Sequence, residues 1–147
     1  MVQLPALADL TLEVSSTPSR GDLDTVDWGL ESSNRAAADL ASVRPLACFA
    51  RAADGQCVGG AVGRSWGRCC EVQELWVEAA RRGRGIGTRL MCMVEAEAQA
   101  RACTLLYLDT FTFQAPRLYQ RLGFEIACTF EGFPDGIVKL VLRKQLA

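Results

Sequence analysis

The chain has 147 residues, the length of a single domain, and half of them are hydrophobic. With 22% charged residues, this composition is that of a globular protein and excludes an intrinsically disordered chain. A net charge of −1 gives no global attraction for nucleic acid or an anionic membrane, so neither is expected as a partner. We expect one domain over residues 1–147.

The segment before residue 44 is predicted to hold a strand and a helix. Leu10–Ser15 alternates between apolar and polar residues, which is typical of a strand. Asp22–Leu40 has a helical pattern, with Asp22 or Asp24 as the N-cap and a break near Ser32–Asn34.

The next segment is predicted to form three consecutive antiparallel strands. Pro45–Ala52, Gln56–Arg64 and Cys69–Val77 are apolar runs of strand length. Turn residues at 53–55 and 65–68 separate them, so the strands form a meander.

The hydrophobic period then changes from strand to helix. Apolar residues recur every four positions over Ile86–Ala102, which predicts an amphipathic helix. Thr104–Thr110 is a strand, and Pro116–Leu122 is a short helix that begins with proline and ends before a glycine. Phe124–Phe130 and Ile137–Arg143 are two further strands. This order predicts an α+β fold with a mixed sheet.

The residue types themselves limit the chemistry. The sequence contains no histidine, which excludes His-based triads, Cys-His pairs and His-ligated metals. None of the seven cysteines has Cys-x-x-Cys spacing, so no metal site is expected. Met1–Leu10 lacks a basic residue and no apolar run approaches ~18 residues, so we expect a cytoplasmic protein with reduced, core-packed cysteines.

A glycine- and arginine-rich loop joins a predicted strand to the long helix. The loop contains Gly83-x-Gly85-x-Gly87, and glycines allow backbone amides to approach a ligand closely. The helix start adds unpaired N–H donors, and arginines add planar donors suited to phosphate. The loop therefore predicts a cradle for a phosphate or pyrophosphate. The spacing excludes a P-loop and fits a dinucleotide fold poorly.

Two motifs carry a resemblance to a known family. Arg82-Gly83-Arg84-Gly85-Ile86-Gly87 resembles the Arg/Gln-x-x-Gly-x-Gly/Ala signature of the GNAT superfamily of acyl-CoA-dependent N-acyltransferases. Ala115–Phe124 is similar to the helix and turn of that superfamily, which end in Tyr-x-x-Leu-Gly-Phe. The preceding Leu108–Ala115 resembles a small bacterial subgroup, and the match in order and spacing covers roughly Cys69–Phe124.

The resemblance implies a fold and a place for acetyl-CoA. The fold is a three-layer α/β arrangement: a mixed, largely antiparallel sheet of about six to seven strands, with helices on both faces and a splayed parallel strand pair. The pantetheine arm would pair with the strand end, and the pyrophosphate would bind the loop. The implied coenzyme-binding residues are Leu75, Trp76, Val77, Arg82, Gly83, Arg84, Gly85, Ile86, Gly87 and Thr88. Many members carry Asn where this chain has Thr112, and Gln114 is a second candidate for that polar contact.

The resemblance also implies attack of a neutral amine on the thioester, without a covalent enzyme intermediate and without a cysteine nucleophile. Tyr119 would act as general acid toward the leaving thiolate, and Glu71 or Glu74 as general base. Strand alternation places Glu71 and Gln73 on one side and Glu74 on the other, unless a bulge intervenes. A backbone amide near Val77 would hold the oxyanion.

The expected acceptor is a cationic amine of a small molecule or protein. The surface implied to receive it is acidic and aromatic, which suits a cation. Its residues are Asp22, Asp24, Asp27, Glu31, Glu131, Asp135, Trp28, Phe130 and Phe133. A homodimer is also compatible with the sequence. The alternative function is a non-catalytic acyl-CoA-binding or interaction domain of the same fold.

Overall fold

The computed structural model describes residues 10–147 and separates into two compact units, the first ending at Leu40 and the second beginning at Ala41. The first unit contains helix α1, Arg20–Ala37. The Ser19 hydroxyl caps it by accepting from the Asp22 amide at 3.1 Å. The predicted cap at Asp22 or Asp24 is therefore wrong, and α1 continues through the expected break at Ser32–Asn34.

The predicted strand Leu10–Ser15 is absent, because residues 10–15 have no regular secondary structure. Leu10, Leu12 and Val14 are exposed, Val14 completely. Alternation identifies a segment that could be half-buried, but a strand also requires a hydrogen-bonded neighbour for its backbone.

The second unit is built on a six-stranded sheet. Its strands are β1 (Arg44–Arg51), β2 (Cys57–Trp66), β3 (Cys69–Val77), β4 (Leu105–Phe111), β5 (Glu125–Phe130) and β6 (Lys139–Gln145). Their order is β1-β2-β3-β4-β6-β5. β3 and β4 are parallel, and every other neighbouring pair is antiparallel. The predicted meander and the mixed, largely antiparallel sheet are confirmed.

Two helices pack in this unit, α2 (Ile86–Ala100) and α3 (Pro116–Arg121). Leu90, Met91, Val94 and Ala98 of α2 are buried, at the three- and four-residue spacings expected for one helix face. They share one core with Tyr119 of α3 and with the inward-facing residues of the strands. The presence of helices on both faces of the sheet remains a prediction.

Arg101 fixes the end of α2 to the meander. Its guanidinium donates to the carbonyl oxygens of Arg44 and Pro45 and to Ser65 Oγ, at 3.0–3.1 Å. Its Nε pairs with Glu97 at 2.7 Å. This side chain is largely buried, so these contacts fix the C-terminal end of α2 against β1 and β2.

The cysteine prediction holds for three residues and fails for four. Cys48, Cys70 and Cys103 are buried in the core, and burial raises the pKa of the Cys70 thiol to about 11. The exposed cysteines are Cys57, Cys69, Cys92 and Cys128, and all seven are unpaired thiols. Cys57 and Cys69 lie on strand positions that point away from the core, Cys92 lies on the exposed face of α2, and Cys128 lies on β5, whose residues are all exposed. Apolar neighbours in sequence do not reveal these positions. Within residues 10–147, no helix combines the length and apolarity needed to cross a membrane.

Candidate active site

The parallel strands β3 and β4 separate along their length. They are paired from Cys69 to Val72 of β3 and from Leu105 to Leu108 of β4, and the pairing ends there. The carboxyl ends of both strands are therefore open toward each other. Two cavities occupy this opening, one of about 730 Å³ and one of about 260 Å³. They share the lining residues Leu75, Gln114 and Ala115, so the two cavities adjoin.

A β-bulge in β3 lies where the strands begin to separate. Val62 of β2 is opposite Glu74, but the next residue, Gly63, is opposite Val72, so Gln73 is the extra residue. The alternation is reset: Cys70 and Val72 are buried before the bulge, and Leu75 and Val77 are half-buried after it. Glu71 and Glu74 consequently lie on the same face, which simple alternation does not predict.

Gly63 permits the bulge. A Cβ atom at this position would lie 2.0 Å from the carbonyl oxygen of Glu71, a distance no side chain tolerates. A glycine in the middle of a strand thus marks a close backbone approach.

The large cavity collects most of the residues predicted to bind the coenzyme. Its lining includes Leu75, Trp76, Val77, Arg82, Gly83, Gly85, Ile86, Gly87, Thr88 and Gln114. Arg84 and Thr112 are not among the lining residues. The Thr112 amide donates to Val138 O at 3.0 Å, and its hydroxyl accepts from Val138 N at 3.1 Å. Thr112 therefore fixes the loop between β4 and α3 to Val138, the residue just before β6.

The glycines of the loop have separate roles. Gly83 and Gly85 have φ of 74° and 77°, which non-glycine residues rarely adopt. Gly85 is also the N-cap of α2 and has no side chain to satisfy the first amides of the helix. The amides of residues 86–88 therefore have no intrahelical acceptor and border the large cavity. Gly87 lies where α2 meets α3, since a Cβ there would lie 3.4 Å from Leu118 Cδ2.

Three arginines lie near the glycine-rich loop, and they differ in their partners. Arg82 Nε donates to Val77 O at 2.9 Å, across the end of β3. Arg81 pairs with Glu78 at 2.8 Å. Arg121 of α3 also lines the large cavity. The partial positive charge at the start of α2 adds to the charge of these arginines. The part of the large cavity beside the start of α2 is therefore suited to an anionic group.

Sequence reasoning missed five lining residues of the large cavity: Arg81, Phe113, Ala115, Leu118 and Arg121. A signal for two of them was available, because Leu118 and Arg121 are three apart on a helix and share a face. The position of that face toward the cavity depends on how α3 packs, which local spacing does not determine.

The small cavity contains an acid–base pair of candidates. It is lined by Glu74 and Tyr119, with Val72, Gln73, Leu75, Leu108, Asp109, Thr110, Gln114 and Ala115. Tyr119 is 7% exposed, and burial raises the pKa of its hydroxyl above the usual 10.0. Its ring meets Phe124 edge-on, with centroids 5.9 Å apart, so packing fixes the direction of the hydroxyl.

The three carboxylates near the opening differ in their partners. Glu71 pairs with Arg64 at 2.8 Å and lines neither cavity. Asp109 pairs with Lys139. Glu74 makes no ion pair with any residue of the part of the chain that the structure describes. Of the two candidate bases, Glu74 is the one that lines a cavity with an unengaged carboxylate.

Part of the predicted acceptor surface can be placed. Phe133, in the loop between β5 and β6, meets Phe111 edge-on at 5.3 Å, and Phe111 stacks on Phe113 at 5.4 Å. Phe113 in turn lines the large cavity. Glu131 and Asp135 of the same loop are exposed. The acidic residues and Trp28 of α1 are exposed on their own unit.

The fold and this opening define an acetyltransferase of the GNAT type. Residues 13–124 match the model of the acetyltransferase (GNAT) family, which is more than half of the chain, so the protein belongs to that family. No group of three or more His, Cys, Asp or Glu residues that could hold a metal occurs within residues 10–147.

Relatives and solved structures agree with this assignment. The chain is 38% identical to blasticidin-S acetyltransferase of Streptomyces morookaense over 107 residues, 70% of this chain and 79% of that protein. An acetyltransferase from Bacillus cereus superposes with a TM-score of 0.74 at 23% identity, covering 91% of this chain and 98% of that one. A Bacillus anthracis protein solved with acetyl coenzyme A gives a TM-score of 0.62 at 18% identity, covering 70% and 63%. Both structures show the same fold.

Proposed function

We propose that this acetyltransferase transfers the acetyl group of acetyl-CoA to a primary amine of a cationic small molecule, by direct attack in a ternary complex. The observation that carries the proposal is the small cavity, where Glu74 and Tyr119 line one space at the point of separation of β3 and β4. A carboxylate and a protonated phenol in one cavity can serve as general base and general acid in the acetylation of an amine.

The large cavity is the proposed site of acetyl-CoA. The pyrophosphate would accept hydrogen bonds from the amides of residues 86–88, assisted by Arg82 and Arg121, which line the same space. A Cβ at Gly83 or Gly85 would have no atom within 4 Å, so the loop leaves room for the phosphates. The pantetheine arm would run along Leu75–Val77 into the small cavity. The co-substrate supplies a thioester whose acyl carbon accepts the amine and whose thiolate leaves.

Glu74 is the proposed general base. An alkyl amine has a pKa of ~10.4 and must lose its proton before it can attack. A carboxylate can take that proton directly or through one water. Because Arg64 holds Glu71 in an ion pair outside both cavities, Glu74 is the better placed of the two candidates.

Tyr119 is the proposed general acid. Because burial raises the pKa of this tyrosine, its hydroxyl stays protonated at neutral pH and can donate to the leaving thiolate. A backbone amide of β3 near Val77 is the proposed donor to the oxyanion. No cysteine is needed as a nucleophile, and burial raises the pKa of Cys70, which keeps that thiol protonated.

The acceptor is proposed to be cationic because carboxylates and aromatic rings surround its expected approach. Glu74 lines the small cavity, Phe111 and Phe133 are in contact beside the opening, and Glu131 and Asp135 are exposed on the neighbouring loop. Such a surface attracts a cation by charge and by cation–π contact. A small molecule is favoured because the name of one relative gives blasticidin-S as its substrate.

The test is thiol release from acetyl-CoA by the wild-type protein with a panel of amines. The panel contains blasticidin-S, polyamines, aminoglycosides, amino acids and lysine peptides, and mass spectrometry identifies the acetylated product. We expect saturable release with at least one small cationic amine. Release only with lysine peptides would contradict the small-molecule part of the proposal, and no release above buffer despite bound acetyl-CoA would contradict amine transfer.

A further inference from the structure

Gln114 stands where the two cavities meet, and two donors hold one end of its amide. Its Oε1 accepts from Thr110 Oγ1 at 3.0 Å and from the Phe111 amide at 2.8 Å. A backbone N–H can only donate, so the atom facing it must be the amide oxygen and not the nitrogen. This fixes the orientation of the Gln114 amide on chemical grounds.

The other end of the amide is the Nε2 group, with two N–H donors. It has no hydrogen-bond partner within the part of the chain described, residues 10–147. Because Gln114 lines both cavities and is exposed, this donor is available to a molecule that passes from the large cavity to the small one.

Thr110 is the buried partner in this arrangement. It is 4% exposed, lies on β4 and lines the small cavity, and its hydroxyl donates to Gln114. Valine has nearly the same shape, so packing alone does not require a hydroxyl here. A buried hydroxyl is costly unless it is hydrogen-bonded, and Gln114 supplies that bond.

We propose that Thr110 is a positioning residue that fixes the amide of Gln114. The Nε2 group of Gln114 then points its N–H donors into the junction of the two cavities, where a carbonyl oxygen of the pantetheine arm would accept a hydrogen bond. The inference rests on the proposed function, because it assumes that acetyl-CoA crosses this junction. A long glutamine side chain loses rotamer entropy when it binds, and fixing it beforehand reduces that cost. Thr110 therefore contributes to affinity through the orientation of Gln114.

The experiment is a double-mutant cycle on the affinity for CoA, measured by calorimetric titration. The variants are Thr110→Val, Gln114→Met and the double substitution. Thr110→Ser keeps the hydroxyl and removes only the methyl group. Thr129→Val, on the exposed edge strand β5, is the control. Loss of one neutral hydrogen bond is expected to raise Kd about three- to tenfold in Gln114→Met. Thr110→Val should raise it by a smaller factor, and Thr110→Ser should restore it.

The cycle separates a positioning role from a structural one. If Thr110 acts through Gln114, Thr110→Val should have no further effect on Kd in the Gln114→Met background. KM for acetyl-CoA should follow Kd, while kcat changes little, since the contact is made before and during the reaction. Equal effects of Thr110→Val in both backgrounds, or a fall in kcat with unchanged Kd, would overturn the proposal. A wild-type protein that binds no CoA would instead contradict the proposed function itself.

Discussion

At the scale of single residues, the partner of a side chain decides which chemistry is open to it. Glu71 and Glu74 are three positions apart in one strand, yet Glu71 is held by Arg64 and Glu74 faces a cavity that also contains Tyr119. The sequence predicts both carboxylates as candidates, because it shows neither the cross-strand ion pair nor the bulge. The predicted tyrosine, by contrast, is placed in the small cavity by the short helix that its motif describes.

The two carboxylates can be separated by matched substitutions. Glu74→Gln removes the proposed base and should lower kcat by about 10²-fold or more, with little change in CoA affinity. Glu71→Gln removes an exposed ion pair, which is worth about 0–1 kcal/mol, and should leave kcat near the wild-type value. Steady-state rates with an identified amine check this. A larger loss in Glu71→Gln than in Glu74→Gln would reverse the assignment.

Tyr119→Phe tests the general acid. The substitution keeps the ring and its edge-on contact with Phe124, so the fold and the CoA affinity should be preserved. The rate kcat should fall about 10²–10⁴-fold, as expected when a general acid is removed. A variant that keeps the wild-type kcat while chemistry limits the rate would move the proton donor to water or another group.

The pH profile of the wild-type kcat should reflect the same residue. The acid form of Tyr119 is the active one, and burial raises its pKa above 10.0, so the alkaline loss of activity belongs above pH 10. A loss of kcat that is complete by pH 9, with a folded protein, would show that another group is the acid.

At the scale of elements, the opening between β3 and β4 depends on where these two strands stop pairing. β3 and β4 are paired over four residues each and then separate, and the bulge at Gln73 lies at the same level. The sequence predicts both strands and the loop that follows β3, since their apolar runs and glycines are local signals. It does not predict the bulge, because the close approach of Gly63 to Glu71 involves a neighbouring strand.

Gly63→Ala should disturb this element. A Cβ atom there would lie 2.0 Å from the Glu71 carbonyl oxygen, so the bulge must shift. We expect a loss of stability of about 1–3 kcal/mol, the usual effect of overpacking, and a fall in kcat that exceeds the change in CoA affinity, because Glu74 is displaced. Denaturant unfolding and steady-state kinetics measure the two effects. Wild-type stability and rate would show that the bulge is not required.

At the scale of the whole molecule, the sheet of the second unit follows from sequence pattern and the details at its edges do not. The change from strand to helix period and the proline–glycine pair around α3 are local, so six strands and two helices were predictable. Leu10–Ser15 is not a strand, because alternating apolar and polar residues do not determine whether a neighbouring strand is present to pair with. The N-cap of α1 was predictable from the sequence, since Ser19 and Asp22 have the spacing of a capping box at the start of the helix.

The start of α2 is the proposed binding site for the pyrophosphate of acetyl-CoA, which its backbone amides would hold. Thr88→Glu tests it with opposite expected signs, because a carboxylate in the first turn of a helix stabilises the helix but repels a phosphate. Thr88 lines the large cavity, and Thr88→Gln is the uncharged control of the same size. Calorimetric titration with acetyl-CoA should show a Kd raised about 10- to 100-fold in Thr88→Glu relative to Thr88→Gln, with no loss of thermal stability. Equal affinities in the two folded variants would contradict a pyrophosphate at this helix.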